Sequence, residues 1–232
     1  MLRRLNANSV TESVWIVVVA RVGDGAKSRL AGRLNADQRR GLALAMLADV
    51  LDACQQARGL VAGTLAVVDE PAARAVALRG GALAIADLGA GNMNAAVGAG
   101  VAAVTKLGAK TVLIVPGDVP LISVADIRAL LDSAGAESRA VVIGASNDGY
   151  GTNALLLTPT DVIAPAFGPP SVGRHVQLGL AAGAHTVVRA GLGLALDIDT
   201  PDDLQTLPRE RLGPHMAAIA AELLEQQAFV RV

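Results

Sequence analysis

Aromatic residues are scarce in this sequence: Phe, Trp and Tyr make up 2% of the 232 residues, although 52% of the chain is hydrophobic. The core must then be built mainly from Ala, Val, Leu and Ile. That mixture suits close packing of helices on a sheet and disfavours an aromatic-rich all-β barrel. The length is long for one average domain and short for two. We therefore expect residues 1–232 to form a single α/β domain.

Cysteine and long hydrophobic runs are equally rare. Cys54 is the only cysteine, which excludes an internal disulfide bond and fits a reducing, cytoplasmic location. The mean hydropathy of +0.46 is positive, but Asp, Arg and Gly interrupt the apolar runs well before the ~20 residues that span a membrane. A formal net charge of −1 gives no overall attraction to nucleic acid or anionic lipid. We predict a cytoplasmic protein that binds neither.

The three histidines, at positions 175, 185 and 215, do not have the spacing of a metal site. No serine or cysteine elbow follows a strand, so nucleophilic catalysis is poorly supported. His175 follows Arg174, and the two side chains could together help to bind an anion. For His185 and His215 we expect solvated positions.

Short β-branched runs alternate with helical patterns, which predicts parallel strands joined by crossover helices. The predicted strands of this alternation are Val14–Ala20, Thr64–Val68, Ala82–Ala86, Thr111–Val115 and Ala140–Ile143; after residue 144 the pattern changes, and strand-like runs follow at Ala154–Leu157 and His185–Arg189. Helix starts are indicated at three places by a capping residue with a polar or acidic residue three positions later: Asn35 with Gln38, Ser123 with Asp126, and Thr200 with Asp203. Beyond a core of residues 14–207, a C-terminal helix is predicted over residues 208–229. It could pack on the core or on a second subunit of a homo-oligomer.

The loop after the first strand, RVGDGAKSRL, offers glycines, a lysine, a serine and an arginine, which are phosphate-binding groups. It is not a phosphate-loop NTPase motif, because Arg21 and Ala26 stand where that motif needs glycine. The alternative to a phosphate-binding loop is an exposed basic turn without a binding role. A second loop, DLGAGNMN, could hold a base or a ribose; its alternative is a turn in which Asn92 and Asn94 adopt left-handed conformations or cap the next helix.

Two further loops offer carboxylates. The apolar run VLIVPGDVPLI ends by presenting Asp118, and LALDIDTPDD places Asp197 and Asp199 two residues apart on an extended segment, where side chains point the same way. Carboxylates suit a hard divalent cation, and two like charges on one face repel unless a cation lies between them. Together the three aspartates could form a metal site. A capping or turn aspartate is the alternative for Asp118.

These motifs together resemble a known family. AKSRL, PGDVPL, GTNALLL, AFGPPSVGRH and LALDIDTPDDL occur in this order, and the chain resembles the phosphoenolpyruvate / 2-phospho-L-lactate guanylyltransferases of deazaflavin coenzyme F-420 biosynthesis. The resemblance covers roughly residues 14–207. PGDVPL and DIDTPDDL are shared across the nucleotide-diphospho-sugar transferase-like superfamily, whereas GTNALLL followed by FGPPSVGRH is particular to the family. One departure is that related chains commonly have V-P-V-K where this chain has Val19, Ala20 and Arg21.

The resemblance implies a fold, a reaction and a set of site residues. The fold is a three-layer α/β/α sandwich with a mostly parallel sheet, of the glycosyltransferase-A type. The reaction transfers GMP from GTP, with Mg²⁺, and releases pyrophosphate. The implied roles are nucleotide binding by Arg21, Lys27, Ser28, Arg29, Gly91 and Asn94, catalysis by Lys27, Arg29 and Asp118, magnesium binding by Asp118, Asp197 and Asp199, and acceptor binding by Thr152, Gly168 and Ser171.

We expect phosphoenolpyruvate as the acceptor, because the composition resembles that of high-GC actinobacterial proteins, in which the family uses this acceptor. A phosphomonoester has its second pKa near ~6 and is already ionised at neutral pH, so it needs no general base. The alternatives are 2-phospho-L-lactate, a molybdopterin or sugar-phosphate nucleotidyltransferase, and a non-catalytic nucleotide-binding regulatory protein. For the enzyme, handover of the product to the next enzyme of the pathway is a further expectation.

Overall fold

A computed structural model describes residues 13–23, 25–89 and 92–225. Its seven-stranded sheet has the order β3-β2-β1-β4-β6-β5-β7. Strand β6 runs antiparallel to its neighbours β4 and β5, and the other pairs are parallel. The strands are β1 (Val14–Ala20), β2 (Gly63–Val68), β3 (Leu83–Ala86), β4 (Thr111–Pro116), β5 (Ala140–Ala145), β6 (Thr152–Thr158) and β7 (His185–Arg189). Each of the predicted strands is confirmed.

Helices connect the strands and cover the sheet. They are α1 (Ala36–Gln56), α2 (Pro71–Arg79), α3 (Met93–Lys106), α4 (Val124–Ala134), α5 (Ser171–Ala181), α6 (Leu192–Ala195), α7 (Pro201–Thr206) and α8 (Pro214–Glu225), with 3-10 turns at Ser28–Leu30 and Arg209–Arg211. The predicted capping boxes are present at Asn35, Ser123 and Thr200, each with both of its reciprocal hydrogen bonds. They satisfy amide groups that a helix start leaves without a partner inside the helix.

The two faces of the sheet carry separate apolar cores. Successive side chains of a strand point to opposite faces. Ile16 and Val18 of β1 accordingly join one core, against α1, α4 and α8, whereas Val17 and Val19 join the other, against α3 and α5. This confirms the three-layer α/β/α sandwich. Among the described residues no helix is both long and apolar enough to cross a membrane.

The C-terminal helix begins later than the sequence pattern predicts. Residues 208–213 hold a 3-10 turn, and α8 starts at Pro214; its predicted end at residue 229 lies outside the described residues. The helix packs on the core, where Met216 and Leu223 are buried. The start is set by a tertiary contact, because the buried carboxylate of Asp49 accepts hydrogen bonds from the backbone N–H groups of His215 (3.1 Å) and Met216 (2.8 Å).

Replacing this carboxylate should loosen the attachment of α8. We expect Asp49→Ala to lower the free energy of unfolding by roughly 1.5–3 kcal/mol, the usual value of a hydrogen bond to a charged group. Urea unfolding measures this directly. Asp52→Ala is the matched control: it lies one turn along α1, and its half-exposed carboxylate is 3.4 Å from the His215 ring, a surface pair worth at most about 1 kcal/mol. Equal losses in the two variants would contradict the capping role.

Candidate active site

A cleft of about 590 Å³ opens beyond the carboxyl ends of β1, β2 and β4, where open α/β sheets bind their ligands. We call it the Lys27 cleft; it is lined by Arg21, Lys27, Asp69, Asp118, Asp199 and neighbouring residues. All four loops selected from the sequence contribute to it, the second one through Met93. They come together because three of them follow the parallel strands β1, β3 and β4 at one edge of the sheet. The fourth, which carries Asp197 and Asp199, is hydrogen-bonded to Asp118.

Asp118 is positioned by the end of β4. Gly117 N–H donates to the Val19 carbonyl (2.8 Å), and a Cβ at position 117 would lie 2.5 Å from the Cβ of Ala20, so only glycine lets β4 approach β1 so closely. The Ile198 N–H donates in turn to the Asp118 carbonyl (3.2 Å). The segment that carries Asp197 and Asp199 is thereby fixed beside Asp118.

Lys27 lies between two of the predicted metal ligands. Its Nζ is 2.6 Å from Asp118 Oδ2 and 2.7 Å from Asp199 Oδ1, and its side chain is only 7% exposed. Burial alone would lower the pKa of the ammonium, but the charges and hydrogen bonds of the two carboxylates outweigh burial and raise it. Lys27 is therefore charged, and it holds the loop after β1 against β4 and the segment before α7.

The backbone at Lys27 is strained. Its φ of 51° is left-handed, and no other non-glycine residue in the described part of the chain has a positive φ. Such conformations cost energy and cluster at functional sites, where the surrounding structure enforces them. The loop is held in shape by Asp69, which accepts hydrogen bonds from the N–H groups of Val22 (3.0 Å) and Gly23 (3.1 Å).

The other basic residues of this loop reach the cleft less directly. Arg29 is 73% exposed, with Nη1 3.7 Å from Asp199 Oδ2, and Ser28 begins the exposed 3-10 turn. Arg21 Nε lies 3.6 Å from the carboxylate of Asp87, at the start of the second glycine-rich loop. Of these three residues, Arg21 lines the Lys27 cleft, and Arg29 lines the cleft next to it.

Asp197 has a different environment from Asp199. Asn153 Nδ2 donates to its Oδ1 (3.3 Å) and to the Leu194 carbonyl (2.9 Å). Burial, and next the nearby charge of Asp118, raise the pKa of Asp197. The three aspartates do not converge on one point. Within the described ranges, the three acids or histidines whose potential ligand atoms all lie within 4.8 Å of one another are Asp49, Asp52 and His215, at the start of α8.

A second cleft of about 590 Å³ adjoins the first. We call it the Thr152 cleft; it is lined by Arg29, Asn153, Thr152, Gly168, Ser171, Asp197 and others, and it shares Met93, Pro116, Asp118 and Asp199 with the Lys27 cleft. The structure thus brings the predicted acceptor residues together: Ser171 Oγ donates to Thr152 Oγ1 (2.9 Å), and both side chains are buried. Gly168 has a φ of +101°, which a side chain would disfavour.

His175 lies behind this cleft and not in it. Its ring is fully buried, with Nδ1 3.0 Å from Thr152 Oγ1 and Nε2 accepting from Ala166 N–H (2.9 Å). Burial, and next the charge of Arg174, lower the pKa of the imidazole to about 4. Arg174 Nη2 donates to the Gly168 carbonyl. The pair therefore supports the cleft wall, and both ring nitrogens of His175 are engaged inside the protein.

The second loop connects the two halves of the site. Asn94 Oδ1 accepts from the Phe167 N–H (2.7 Å), and its Nδ2 donates to the Phe167 carbonyl (3.1 Å). Asn92 caps α3 by accepting from the N–H groups of Asn94 and Ala95, which confirms the capping alternative for Asn92. Gly91 lies outside the described residues. Asn94 thus fastens the start of α3 to the loop before Gly168.

Asp69, Asn153 and His175 are site residues whose contacts the sequence pattern did not reveal. Asp69 had a usable signal, since it follows the apolar strand β2 in VVDE just as Asp118 follows β4. The other two had none, because their partners Asp197 and Thr152 are distant in the sequence.

Comparisons with known proteins agree with this geometry. The family described as "Guanylyl transferase CofC like" matches residues 14–208. Phosphoenolpyruvate guanylyltransferases of Conexibacter woesei and Rubrobacter xylanophilus are each 40% identical over 195 residues, covering 84% of this chain and 87% and 93% of theirs. A 2-phospho-L-lactate guanylyltransferase of Methanothermobacter thermautotrophicus and a 3-phospho-D-glycerate guanylyltransferase of Phenylobacterium zucineum are 36% and 31% identical over 118 and 209 residues.

A solved structure supports the fold. A protein of the nucleotide-diphospho-sugar transferase type from Desulfovibrio desulfuricans G20 has a TM-score of 0.70 at 17% identity, covering 94% of this chain and 97% of that one. At that identity the likeness shows the architecture alone. The sequence match, in contrast, spans the segments that form both clefts. The chain belongs to the CofC-like guanylyl transferase family of nucleotidyltransferases.

Proposed function

We propose that this protein transfers GMP from GTP to phosphoenolpyruvate, giving enolpyruvyl-diphospho-guanosine and pyrophosphate, as a step of coenzyme F-420 biosynthesis. The observation that carries the proposal is the junction of two clefts at Asp118 and Asp199. A transferase of this kind must hold two polyanions with their reacting phosphates at one point. Two adjoining clefts that share a pair of carboxylates, with a buried lysine bound to that pair on one side, meet that requirement.

The Lys27 cleft is the proposed GTP side. Lys27 and Arg29 neutralise the triphosphate, Arg29 from the adjoining Thr152 cleft that it lines; Arg21 lines the Lys27 cleft, and Ser28 is next to Lys27 in the chain. The start of α3 completes the nucleotide side, with the Asn94 side chain fastened to the acceptor loop. Backbone amides and cations at such positions bind phosphate by geometry and charge.

Asp118 and Asp199 fit a divalent cation, which we propose to be Mg²⁺. Asp118 and Asp199 already direct carboxylate oxygens at one cationic group, the Lys27 ammonium, and oxygen ligands are those that Mg²⁺ prefers. Asp197, held by Asn153, would assist from the acceptor side. When bound, the cation supplies charge neutralisation and orientation at the phosphates.

The Thr152 cleft is the proposed acceptor side. Thr152 offers its hydroxyl group, Ser171 supports it by donating to Thr152 Oγ1, and Gly168 and the positive N-terminal end of α5 add backbone donors. An oxygen of the acceptor phosphate attacks the α-phosphorus of GTP, forming one P–O bond while the bond to the departing pyrophosphate breaks. Because that oxygen is ionised at neutral pH, no base is required. Lys27 and Arg29 stabilise the charge at the reacting phosphates by position.

The relatives favour phosphoenolpyruvate over the other acceptors in the family, since two relatives that are 40% identical over 195 residues carry that name. 2-Phospho-L-lactate and 3-phospho-D-glycerate, named in other relatives, also combine a phosphate with a carboxylate. The same hydrogen-bond donors would serve all three acids. An experiment is therefore needed to choose among the three acceptors.

In the first experiment, purified protein and Mg²⁺ are incubated with each of GTP, CTP, ATP and UTP. The acceptor in each incubation is phosphoenolpyruvate, 2-phospho-L-lactate, 3-phospho-D-glycerate or a sugar 1-phosphate. Pyrophosphate release is measured, and the product is trapped or coupled to the next enzyme. We expect release with GTP and phosphoenolpyruvate. A preference for another phospho-acid would change the acceptor, CTP with a sugar phosphate would overturn the proposal, and tight nucleotide binding without release would support a regulatory protein.

Asp118→Asn should lower kcat by at least about 10²-fold, because it removes a charge that acts at the reacting phosphates; the second partner of Lys27, Asp199, is kept. Steady-state kinetics at saturating Mg²⁺ measures the loss. The control is Asp132→Asn, an exposed carboxylate of α4 outside both clefts. Activity of Asp118→Asn within a few-fold of wild type would show that another carboxylate has this role.

Ser171→Ala should raise the KM for phosphoenolpyruvate by about 3- to 10-fold, since it removes the neutral hydrogen bond, worth about 0.5–1.5 kcal/mol, by which Ser171 orients the Thr152 hydroxyl. The KM for GTP should stay the same. Ser133→Ala is the control, because that hydroxyl donates to a carbonyl of its own helix. A weaker interaction with GTP and an unchanged KM for the acceptor would mean that the two clefts have exchanged roles.

A further inference from the structure

The hydroxyl of Thr152 has three neighbours of defined chemistry. Ser171 Oγ donates to it at 2.9 Å, His175 Nδ1 lies 3.0 Å away, and the Thr152 cleft is on its remaining side. Thr152, Ser171 and His175 are 5%, 1% and 0% exposed, respectively. In such a dry network every polar hydrogen needs an acceptor, and an unmade hydrogen bond is costly.

The contacts of His175 determine which ring nitrogen carries the proton. Ala166 N–H can only donate, so His175 Nε2, 2.9 Å away, must accept. A neutral imidazole has one acceptor and one donor nitrogen. The proton is therefore assigned to Nδ1, which makes His175 a donor to Thr152.

It follows that Thr152 Oγ1 accepts two hydrogen bonds, one from Ser171 and one from His175. A hydroxyl has two lone pairs and one proton, so its lone pairs are used and its proton must be donated elsewhere. No other described side chain accepts it. The hydroxyl proton of Thr152 therefore points into the cleft, where an anionic oxygen of a ligand is the best acceptor of an O–H group.

We propose that His175 is a positioning residue which, with Ser171, fixes the Thr152 hydroxyl as a hydrogen-bond donor aimed at the phosphate or carboxylate of the acceptor. His175 acts through Thr152 and does not contact the substrate. Its other nitrogen anchors Ala166, next to the loop of Phe167 and Gly168, so that one ring orients the hydroxyl and fixes the cleft wall. The inference rests on the proposed function, because it needs an acceptor anion beside Thr152.

Two substitutions separate the two hydrogen bonds of the ring. In His175→Asn the side-chain nitrogen can take the place of Nδ1 and donate to Thr152, but the bond to Ala166 is lost. In His175→Gln the longer side chain can place an oxygen near the position of Nε2 and accept from Ala166, but the donor to Thr152 is lost. We expect His175→Gln to raise the KM for phosphoenolpyruvate by about 3- to 10-fold, His175→Asn to stay within about 2-fold, and the KM for GTP to remain unchanged in both.

A double-mutant cycle with Thr152→Val tests whether His175 acts through Thr152. In that background His175→Gln should add no further increase in the KM for the acceptor, because coupled residues give non-additive effects. Additive increases would show that the histidine has only a structural role, and an equal effect of Asn and Gln would also overturn the inference.

The tautomer is measurable on the wild-type protein without any assay. Long-range ¹H–¹⁵N correlation spectra at neutral pH should show one histidine protonated at Nδ1, and that signal should vanish in His175→Asn. A proton at Nε2 would overturn the inference even if every variant misfolds. The proposed function fails separately, when wild-type protein releases no pyrophosphate with any phospho-acid; the inference fails when wild type is active and His175→Gln leaves the acceptor KM unchanged.

Discussion

The buried ammonium of Lys27 joins three segments that are far apart in the sequence: the loop after β1, the turn after β4 and the segment before α7. Without this cation, Asp118 and Asp199 would face each other as like charges in a partly buried site, which is unfavourable. Without the two carboxylates, burial would favour an uncharged lysine. The two ion pairs hold Lys27 in place although its left-handed backbone is strained. The cleft on either side depends on these two ion pairs.

In the proposed function, the rest of the site brings two phosphates to this centre. Gly117 allows β4 to approach β1 and present Asp118, and Asn94 ties the start of α3 to the loop beside Gly168. His175 and Ser171 use up the lone pairs of Thr152. Polar groups that are fixed before the substrate arrives need no reorganisation during the reaction, which is where such sites gain most of their rate. In this account catalysis comes from placement, since an ionised phosphate supplies the nucleophile.

The sequence predicts most of the fold because its signals are local. Short apolar runs and capping boxes at Asn35, Ser123 and Thr200 mark strands and helix starts that the structure confirms. The start of α8 was predicted too early because a tertiary bond from Asp49 determines it. The same limit applies to the site: motifs indicated Lys27, Asp118 and Asp199, whereas the partners of Asn153 and His175 depend on long-range contacts. Periodicity within one segment carries no information about such contacts.

The position of the divalent cation tests the central claim most directly. Crystals grown with Mn²⁺, a non-hydrolysable GTP analogue and phosphoenolpyruvate would locate the metal by its anomalous scattering. The account predicts a peak in direct contact with the carboxylate oxygens of Asp118 and Asp199, between the nucleotide and the acceptor. A peak confined to Asp49, Asp52 and His215, the closest-set triplet of potential ligands in the described ranges, or nucleotide seated against Thr152 and Ser171, would contradict it.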